Sequence, residues 1–500
     1  VAGVFFAHAA LPGIAPASDL WDYSQEARQL ARGQAFTSLY TYPVFLGQEQ
    51  PPFPVRWRMP LYAALGALLL RLGIALPAGF LYLGAVVHAV LVALTYWLGA
   101  RLSRRRAGVW AAAGAFACPL LLDFYNPGMS QSLAAVLGVV VWLLLLGERG
   151  ALAGALAGVA AAAAWYLRGE SILFVPVWIW LASRGAGPRW GRAVAFTVVY
   201  AALCAPWFLA SRSGGGTIQG NPMLLYTAEY PGYSSSRTLA AHLPGMLGYV
   251  SAHPVAFALR FVKDMAGYGI DLIDGLGPIA LLVAIGGVVT MGNRQTRATL
   301  RGLAPFLVAI ALQIVAMSAL ERSPRFLVPV LPLVFVILGV LAGPALAQVT
   351  RRETFIAMVL ALVLERTVRV AYQRGDALRR FPPAPADTAP RLGARARSWP
   401  TGALVLSDAP DWVSWHLDRP ALLLPLRAQL DSLVATRPVA AIWLSPGARA
   451  RNVADRDTAW VGAMDRGEGL SGFSGPDTLP GGSVLYVVRS DGPAHPGRQP

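Results

Sequence analysis

The chain has 500 residues, of which 55% are hydrophobic and only 14% charged, with a mean hydropathy of +0.50. A soluble protein of that length needs more charge to cover its surface, so the composition excludes an ordinary soluble globule and predicts a polytopic membrane protein. The net charge of +16 comes almost entirely from arginine, and the arginines gather in short turns between apolar runs. That is the positive-inside pattern of a membrane protein, not a nucleic-acid patch.

In chain order, the opening run 1–12 is apolar but short, so it is expected as a shortened first span. No basic segment precedes it, and no signal peptide is expected. "ASDLWDYSQEARQLARG" (17–33) follows and predicts a helix over 20–32. Asp19 there serves either as a helix cap or as a group that handles a proton at the membrane surface. Asp22 stands one turn on, where it favours the helix N-terminus. The segment 60–74 is apolar but short and carries Arg71, which predicts an interfacial helix. Ten further spans are expected at 80–101, 107–122, 131–147, 151–167, 171–183, 193–210, 268–291, 302–319, 326–347 and 354–371. With the opening run that makes about eleven.

The Arg-rich turns at 101–108, 147–150, 183–192, 292–302 and 349–353 then fall on one side, predicted as cytoplasmic. The opposite side receives the first loop 13–79, the turns 123–131 and 168–171, a long loop 212–267 and the turn 321–325. Cys118 and Cys204 lie within apolar segments and read as small buried hydrophobes. The membrane domain is expected to cover 1–372, followed by a Pro/Ala/Arg linker at 373–399, a small soluble α/β domain at 400–490 and a disordered tail at 491–500. In that domain "GALVLSD", "VAAIWLS" and "GSVLYVVRS" read as strands and "AQLDSLVAT" as a helix. An odd number of spans places it outside the cytoplasm. His416 and Asp408 lack ligand-like spacing and read as structural or surface residues. The expected fold class is mainly α: a transmembrane helical bundle with a small C-terminal extracytoplasmic α/β domain.

Charged residues at span ends are costly and often functional. On the predicted outer side they form a set: Asp19, Asp22 and Glu26 with Arg56 and Arg58; Asp123 and Asn126; Arg168 and Glu170; Arg212; Arg322 and Arg325. Arginine forks suit phosphate, and a nearby carboxylate can accept a proton from a hydroxyl. A transporter more often places its charges near the bilayer midplane. The Gly-rich run 211–221 lies on the same side and reads as a flexible substrate-side loop. No Gly-rich nucleotide loop or Asp-x-Asp motif is present.

Several segments carry a family resemblance. "SDLWDYSQEARQLARGQAF" has an Asp, a Tyr four residues on and an amphipathic helix ending in Gly. "RMPLYAALGALLLRLG" has a Pro-Leu-Tyr lead, and "WYLRGESILFVPV" an Arg-x-Glu turn. "ERSPRFLVPVLPLVFVILG" opens a late span, with Phe326 where the family has Tyr, and "APWFLASR" adds a Pro-Trp turn. Together, over about residues 15–347, the chain resembles integral-membrane glycosyltransferases of the GT-C class. The likeness is to family 39 and the aminoarabinose-transferase-like group, related to protein O-mannosyltransferases. The resemblance implies an inverting hexosyl or pentosyl transfer from a polyprenyl-phosphate-sugar donor to a hydroxyl of a protein, lipid or glycan acceptor. It makes Asp19 the general base and gives the donor phosphate to Arg58, Arg168 and Arg325. Tyr23, Glu170 and Arg322 are supporting residues. Membrane lipids are the other expected partners; no nucleic acid and no cofactor are implied. Leu20 stands where the family often has Glu, and Ser130 or Gln131 takes the place of a second acidic residue, which leaves a divalent metal open. A flippase of lipid-linked sugars or a non-catalytic scaffold is the alternative, using the same arginines without a base.

Overall fold

The computed structural model describes residues 19–47, 49–122, 129–147, 150–184, 189–213, 236–239, 246–291, 293–320, 322–380, 382–454 and 457–489. The chain is mainly helical. The first loop holds α1 (Asp19–Ala31), and α2 (Pro60–Arg71) is the short apolar helix expected there. The bundle follows as α3 (Ala78–Leu102), α4 (Arg105–Phe116), α5 (Ser130–Gly147), α6 (Ala151–Leu167), α7 (Val175–Ser183) and α8 (Arg189–Ser213). It continues as α9 (Pro254–Leu276), α10 (Pro278–Thr290), α11 (Asn293–Leu320), α12 (Leu331–Gln348) and α13 (Arg352–Arg380).

Among the described residues, five helices are long and apolar enough to cross a membrane: α3, α5, Trp190–Leu209 of α8, Arg297–Leu320 of α11, and α12. They coincide with the expected spans at 80–101, 131–147, 193–210, 302–319 and 326–347. The expected span at 268–291 falls across α9 and α10, which bend by 94°. Gly277, at φ 72°, breaks the first helix there, and Pro278, which has no N–H, starts the second. Counted as one broken span, the pair brings the number to six. α6 and Gly169–Ser183 are shorter apolar helices, where 151–167 and 171–183 were expected. The expected span 107–122 is α4 followed by the single turn Pro119–Leu122. The expected span 354–371 lies within α13 and carries Glu365, Arg366 and Arg369. The opening run 1–12 lies outside the described residues. α9 also occupies part of the long loop expected at 212–267, so that stretch is helical well before residue 268.

Helices in a bundle can approach closely only where side chains are small. Gly287 of α10 faces the Leu341 carbonyl of α12, and Gly339 of α12 faces the Ala107 carbonyl of α4. A Cβ at Gly287 would collide with that carbonyl. Gly287→Ala is therefore expected to force the two helices apart, at a cost of about 1–3 kcal/mol. A lowered melting temperature of the detergent-solubilised protein checks this, and an unchanged one contradicts it.

After α13, the stretch expected as a linker holds the end of that helix and then α14 (Thr388–Ala396). The α/β region is a six-stranded sheet of β2 (Tyr40–Thr41), β5 (Ala421–Leu423), β4 (Leu404–Ser407), β6 (Val439–Leu444), β8 (Val484–Val488) and β7 (Phe473–Thr478), in that order. β2 comes from the first loop and pairs parallel with β5, Tyr40 opposite Ala421 and Thr41 opposite Leu422. β1 (Thr37–Ser38) and β3 (Phe53–Pro54) form a separate two-stranded ladder in that loop. α15 (Pro410–Leu417) follows β4 and packs on α1. Arg28 donates to the carbonyls of Ser414 and Trp415, at 2.6 and 2.8 Å, and Arg32 forms a two-point pair with Asp418 at 3.0 Å. The first loop and the C-terminal sheet thus share strands, ion pairs and a core.

His416 lies between Trp21 and Trp412, with ring centroids 4.9 and 4.4 Å away. Asp408 accepts hydrogen bonds from the Ser445 N–H and hydroxyl at 2.7 and 2.6 Å, which clasps the ends of β4 and β6. Asp408 is thus a buried tie between two strands, and His416 is an exposed residue packed beside two tryptophans. Cys118 and Cys204 are free thiols, the first buried and the second half-buried.

Candidate active site

α1 opens with Asp19, and its carboxylate faces arginines brought by two other segments. Asp19 Oδ2 lies 2.9 Å from Arg58 Nη2, in the segment just before α2, and 2.9 Å from Arg325 Nη1, in the short 3-10 turn Pro324–Leu327 before α12. Burial alone would push the Asp19 carboxyl up. The charges of Arg58 and Arg325, with Arg168 further off, outweigh it and hold the group at about 2. The shift stabilises the ion pairs at pH values above the ordinary value of 3.8, and the stabilisation is lost as pH falls toward about 2. The Asp19 and Arg325 side chains remain 23% and 33% exposed, so the pair is reachable from outside.

Arg58 is the hub. Its Nε donates to Asp22 Oδ2 at 2.7 Å, its guanidinium lies 4.9 Å from the Tyr23 ring centre, and only 10% of the side chain is exposed. Burial works against its charge, and Asp19, Tyr23 and Asp22 outweigh that, so it stays a guanidinium. Asp22 also accepts from Trp57 Nε1 at 3.3 Å and is 2% exposed. Asp22 stands in the first turn of α1, where it was expected to favour the helix N-terminus, and its carboxylate is also a buried partner of Arg58. Residues 19, 22 and 26 are three and four apart, the spacing of one helix face, and that spacing is the signal in the sequence that sets Asp22 and Glu26 beside Asp19.

Arg168 sits at the C-terminal end of α6, with its Nε 2.6 Å from Glu170 Oε1. Its guanidinium lies 5.4 Å from the Phe326 ring, and that of Arg325 lies 5.3 Å from the same ring. Both cations thus stand within cation–π range of one ring. Tyr23 places its hydroxyl 2.7 Å from Ser130 Oγ at the start of α5, which ties the first loop to the bundle. The neighbouring Gln131 is fully buried, and neither end of its amide has a partner among the described residues.

The structure thus brings together Asp19, Tyr23, Arg58, Arg168, Glu170 and Arg325. It does not bring in Arg322, whose guanidinium makes a two-point pair with Asp271 of α9 at 2.7 and 3.1 Å. Arg56 pairs with Glu49 instead of facing Asp19. Asp123 and Asn126 and the side chain of Arg212 lie outside the described residues, as does 214–221 of the Gly-rich run. Among the described residues, no three His, Cys, Asp or Glu side chains stand where they could hold a metal ion.

Solved structures share this architecture over nearly the whole chain. The apo crystal structure of ArnT from Cupriavidus metallidurans superposes with a TM-score of 0.53 at 14% identity, covering 97% of both chains. The chain has the GT-C fold. The same fold appears in ArnT bound to undecaprenyl phosphate, at a TM-score of 0.53 and 13% identity over 98% of both chains. It appears again in the oligosaccharyltransferase AglB from Archaeoglobus fulgidus in complex with an inhibitory peptide and a dolichol-phosphate. There the TM-score is 0.53 at 13% identity, over 96% of this chain and 71% of that one. No family model matches the chain, and no curated protein matches it in sequence. Within the GT-C fold, the Asp19–Arg58–Arg325 cluster lies where the first loop, the end of α6 and the start of α12 converge.

Proposed function

We propose that the chain is a membrane glycosyltransferase that moves a sugar from a polyprenyl-phosphate donor to an acceptor hydroxyl. The observation that carries this reading is a single carboxylate, Asp19, held between two arginines with a third close by. Two GT-C neighbours of known structure were solved with a polyprenyl or dolichol phosphate, which supports a lipid-phosphate donor here.

In this reading the donor phosphate takes hydrogen bonds from Arg58, Arg168 and Arg325. Among the described residues, the terminal nitrogens of Arg168 make no hydrogen bond, so they are available to a ligand. The acceptor oxygen attacks the anomeric carbon as the bond from that carbon to the phosphate oxygen breaks. The configuration inverts, and polyprenyl phosphate leaves. The hydroxyl proton goes to Asp19. The arginines are worth most in the transition state, when negative charge builds on the leaving phosphate. Donor binding also acts on the base: a phosphate that draws Arg58 and Arg325 away from Asp19 weakens the charges that hold its carboxyl low. Asp19 then becomes a better proton acceptor only when the donor is in place.

This has a consequence for pH. The acid limb of kcat/KM reports the free enzyme. With Asp19 held at about 2, that limb is expected to show no loss assignable to Asp19 above about pH 3. A limb near pH 4–5 that moves in Asp19→Glu would contradict it.

The donor site is tested by binding of polyprenyl phosphate. Arg168→Lys and Arg325→Lys keep the charge and lose the planar fork, and each is expected to weaken binding about tenfold, the worth of one charge-assisted hydrogen bond. Wild-type affinity in both variants overturns the phosphate assignment. We place the site at the outer face of the cell membrane, with the C-terminal domain on the same side, because the Arg-rich turns gather on the other. Ser432 is exposed, so Ser432→Cys is expected to react with a membrane-impermeant thiol reagent in intact spheroplasts. Protection until lysis puts the domain inside.

A further inference from the structure

Behind the Asp19 pair lies a group the proposed reaction does not use. Glu26 is one helical turn beyond Asp22 on α1 and is fully buried. No N–H or O–H of another described residue reaches either of its oxygens, and the Asp22 carboxyl stands one turn away on the same helix face. Two carboxylates cannot share that place as anions: an ionised buried carboxylate without a donor is too costly to keep. A proton between them solves both problems. It gives Glu26 an O–H that donates to Asp22, and it leaves one negative charge on the pair.

We propose that Asp22 and Glu26 hold one proton between them and act as a single-charge anchor that positions Arg58 for the donor phosphate. Asp22 uses its charge on Arg58 Nε at 2.7 Å. That fixes the plane of the guanidinium and directs its Nη2 edge toward Asp19 and the incoming ligand. The charge balance follows. Arg58, Arg168 and Arg325 face the carboxylates of Asp19, Asp22 and Glu170, so the cluster is neutral while Glu26 keeps its proton. An ionised Glu26 would make it net negative and repel a phosphate.

The surroundings agree with this. Burial first, then the charge of Asp22 and a hydrogen bond to it, hold Glu26 well above the usual carboxylate range, against a smaller opposite pull from Arg58. From α1 itself Asp19 adds to the rise. From the first loop Tyr40 faces both carboxyls and Tyr42 faces Asp22, and both hydroxyls are pushed up by burial and by Asp22. From the C-terminal region Asp411, in the first turn of α15, also faces Asp22, and its carboxyl is raised by burial and by that charge, against a smaller opposite pull from Arg451. Arg58 therefore answers both Asp19 and Asp22.

The inference rests on reading Arg58 as a phosphate ligand, so its test has one arm that does not involve donor or turnover. Infrared difference spectra of the purified full chain at neutral pH are expected to show a buried protonated-carboxyl band that is lost in Glu26→Gln. The band is expected to persist in Asp19→Asn and in Asp411→Asn. A spectrum in which Glu26→Gln removes no such band overturns the shared proton, whatever the chain catalyses. In the second arm, Glu26→Gln retains an N–H donor for Asp22 and cannot ionise, whereas Glu26→Leu has no donor. The Gln variant is expected to bind polyprenyl phosphate about tenfold or more tightly than the Leu variant, the worth of one hydrogen bond to a charged group. Wild-type activity is expected to fall as pH rises through the Glu26 titration, and that alkaline limb is expected to be absent in Glu26→Gln. Equal affinity of the two variants, or the same alkaline limb in wild type and Glu26→Gln, overturns the positioning role. If Glu26→Leu fails to fold, the infrared band and the alkaline limb still decide.

Discussion

Asp19→Asn is expected to reduce sugar transfer by about 10²–10⁴-fold, the usual contribution of a positioned base, while folding and donor binding survive. The asparagine oxygen still accepts from Arg58 and Arg325, whose nitrogens lie 2.9 Å from Asp19 Oδ2 in the wild type. Removing the negative charge also releases both guanidinium groups toward the phosphate, so donor affinity is expected to hold or rise. A helix-cap role predicts something different. A lost cap costs about 1 kcal/mol of stability and no chemistry, and Asn caps as well as Asp. Near-normal turnover in Asp19→Asn, measured as sugar transferred per enzyme, would remove Asp19 from the reaction.

The second large effect is at Arg58. Its guanidinium answers Asp22, which is 2% exposed and has no other ion-pair partner among the described residues. Removing one partner of a buried ion pair typically costs about 3–5 kcal/mol, because the other charge stays behind. Arg58→Ala is thus expected to destabilise the first loop and abolish donor binding together. Arg58→Ala with Asp22→Asn removes both charges, so it is expected to recover much of the stability but not the donor binding. Thermal melts and polyprenyl-phosphate titrations separate the two. If the double variant melts no higher than the single one, Asp22 is not the buried partner that matters.

Much of this arrangement was legible in the chain. Asp19, Arg58, Arg168 and Arg325 lie in four segments separated by apolar runs, and each sits at the end of a helix or turn, where a charge is conspicuous in so hydrophobic a sequence. Hydropathy located the long helices because a span needs about 20 apolar residues in one run. What was not legible depended on packing. α1 has a face of acidic residues, and a surface helix normally turns such a face to water. Here α2 and α15 both pack on α1, and Asp22 and Glu26 are buried, so their meaning changes. Arg322 and Arg325 are three residues apart in one turn, and only the family resemblance gave the phosphate to Arg325 and a supporting role to Arg322. The 3-10 turn Pro324–Leu327 follows Arg322, which reaches back to Asp271, while Arg325 within that turn reaches Asp19.

The C-terminal region shows the same division. β4, β6 and β8 were readable from their alternating and continuous apolar runs. β2 was not, because two residues of the first loop pair with a strand roughly 380 positions away, and so short a strand has no period of its own. The stretch 373–399 has linker composition, yet α13 continues to Arg380 because nothing breaks it before Pro382 and Pro383. Composition describes how a segment behaves alone, and a helix end depends on the next residue that cannot continue it.

The most direct test of the proposed chemistry uses purified protein in proteoliposomes with a polyprenyl-phosphate sugar labelled in the sugar and a panel of hydroxyl acceptors. The reading predicts free polyprenyl phosphate and sugar transferred in equal amounts, with the anomeric configuration inverted and with both products lost in Asp19→Asn. Labelled donor that crosses the bilayer with its sugar–phosphate bond intact, and no product with any acceptor, would contradict it.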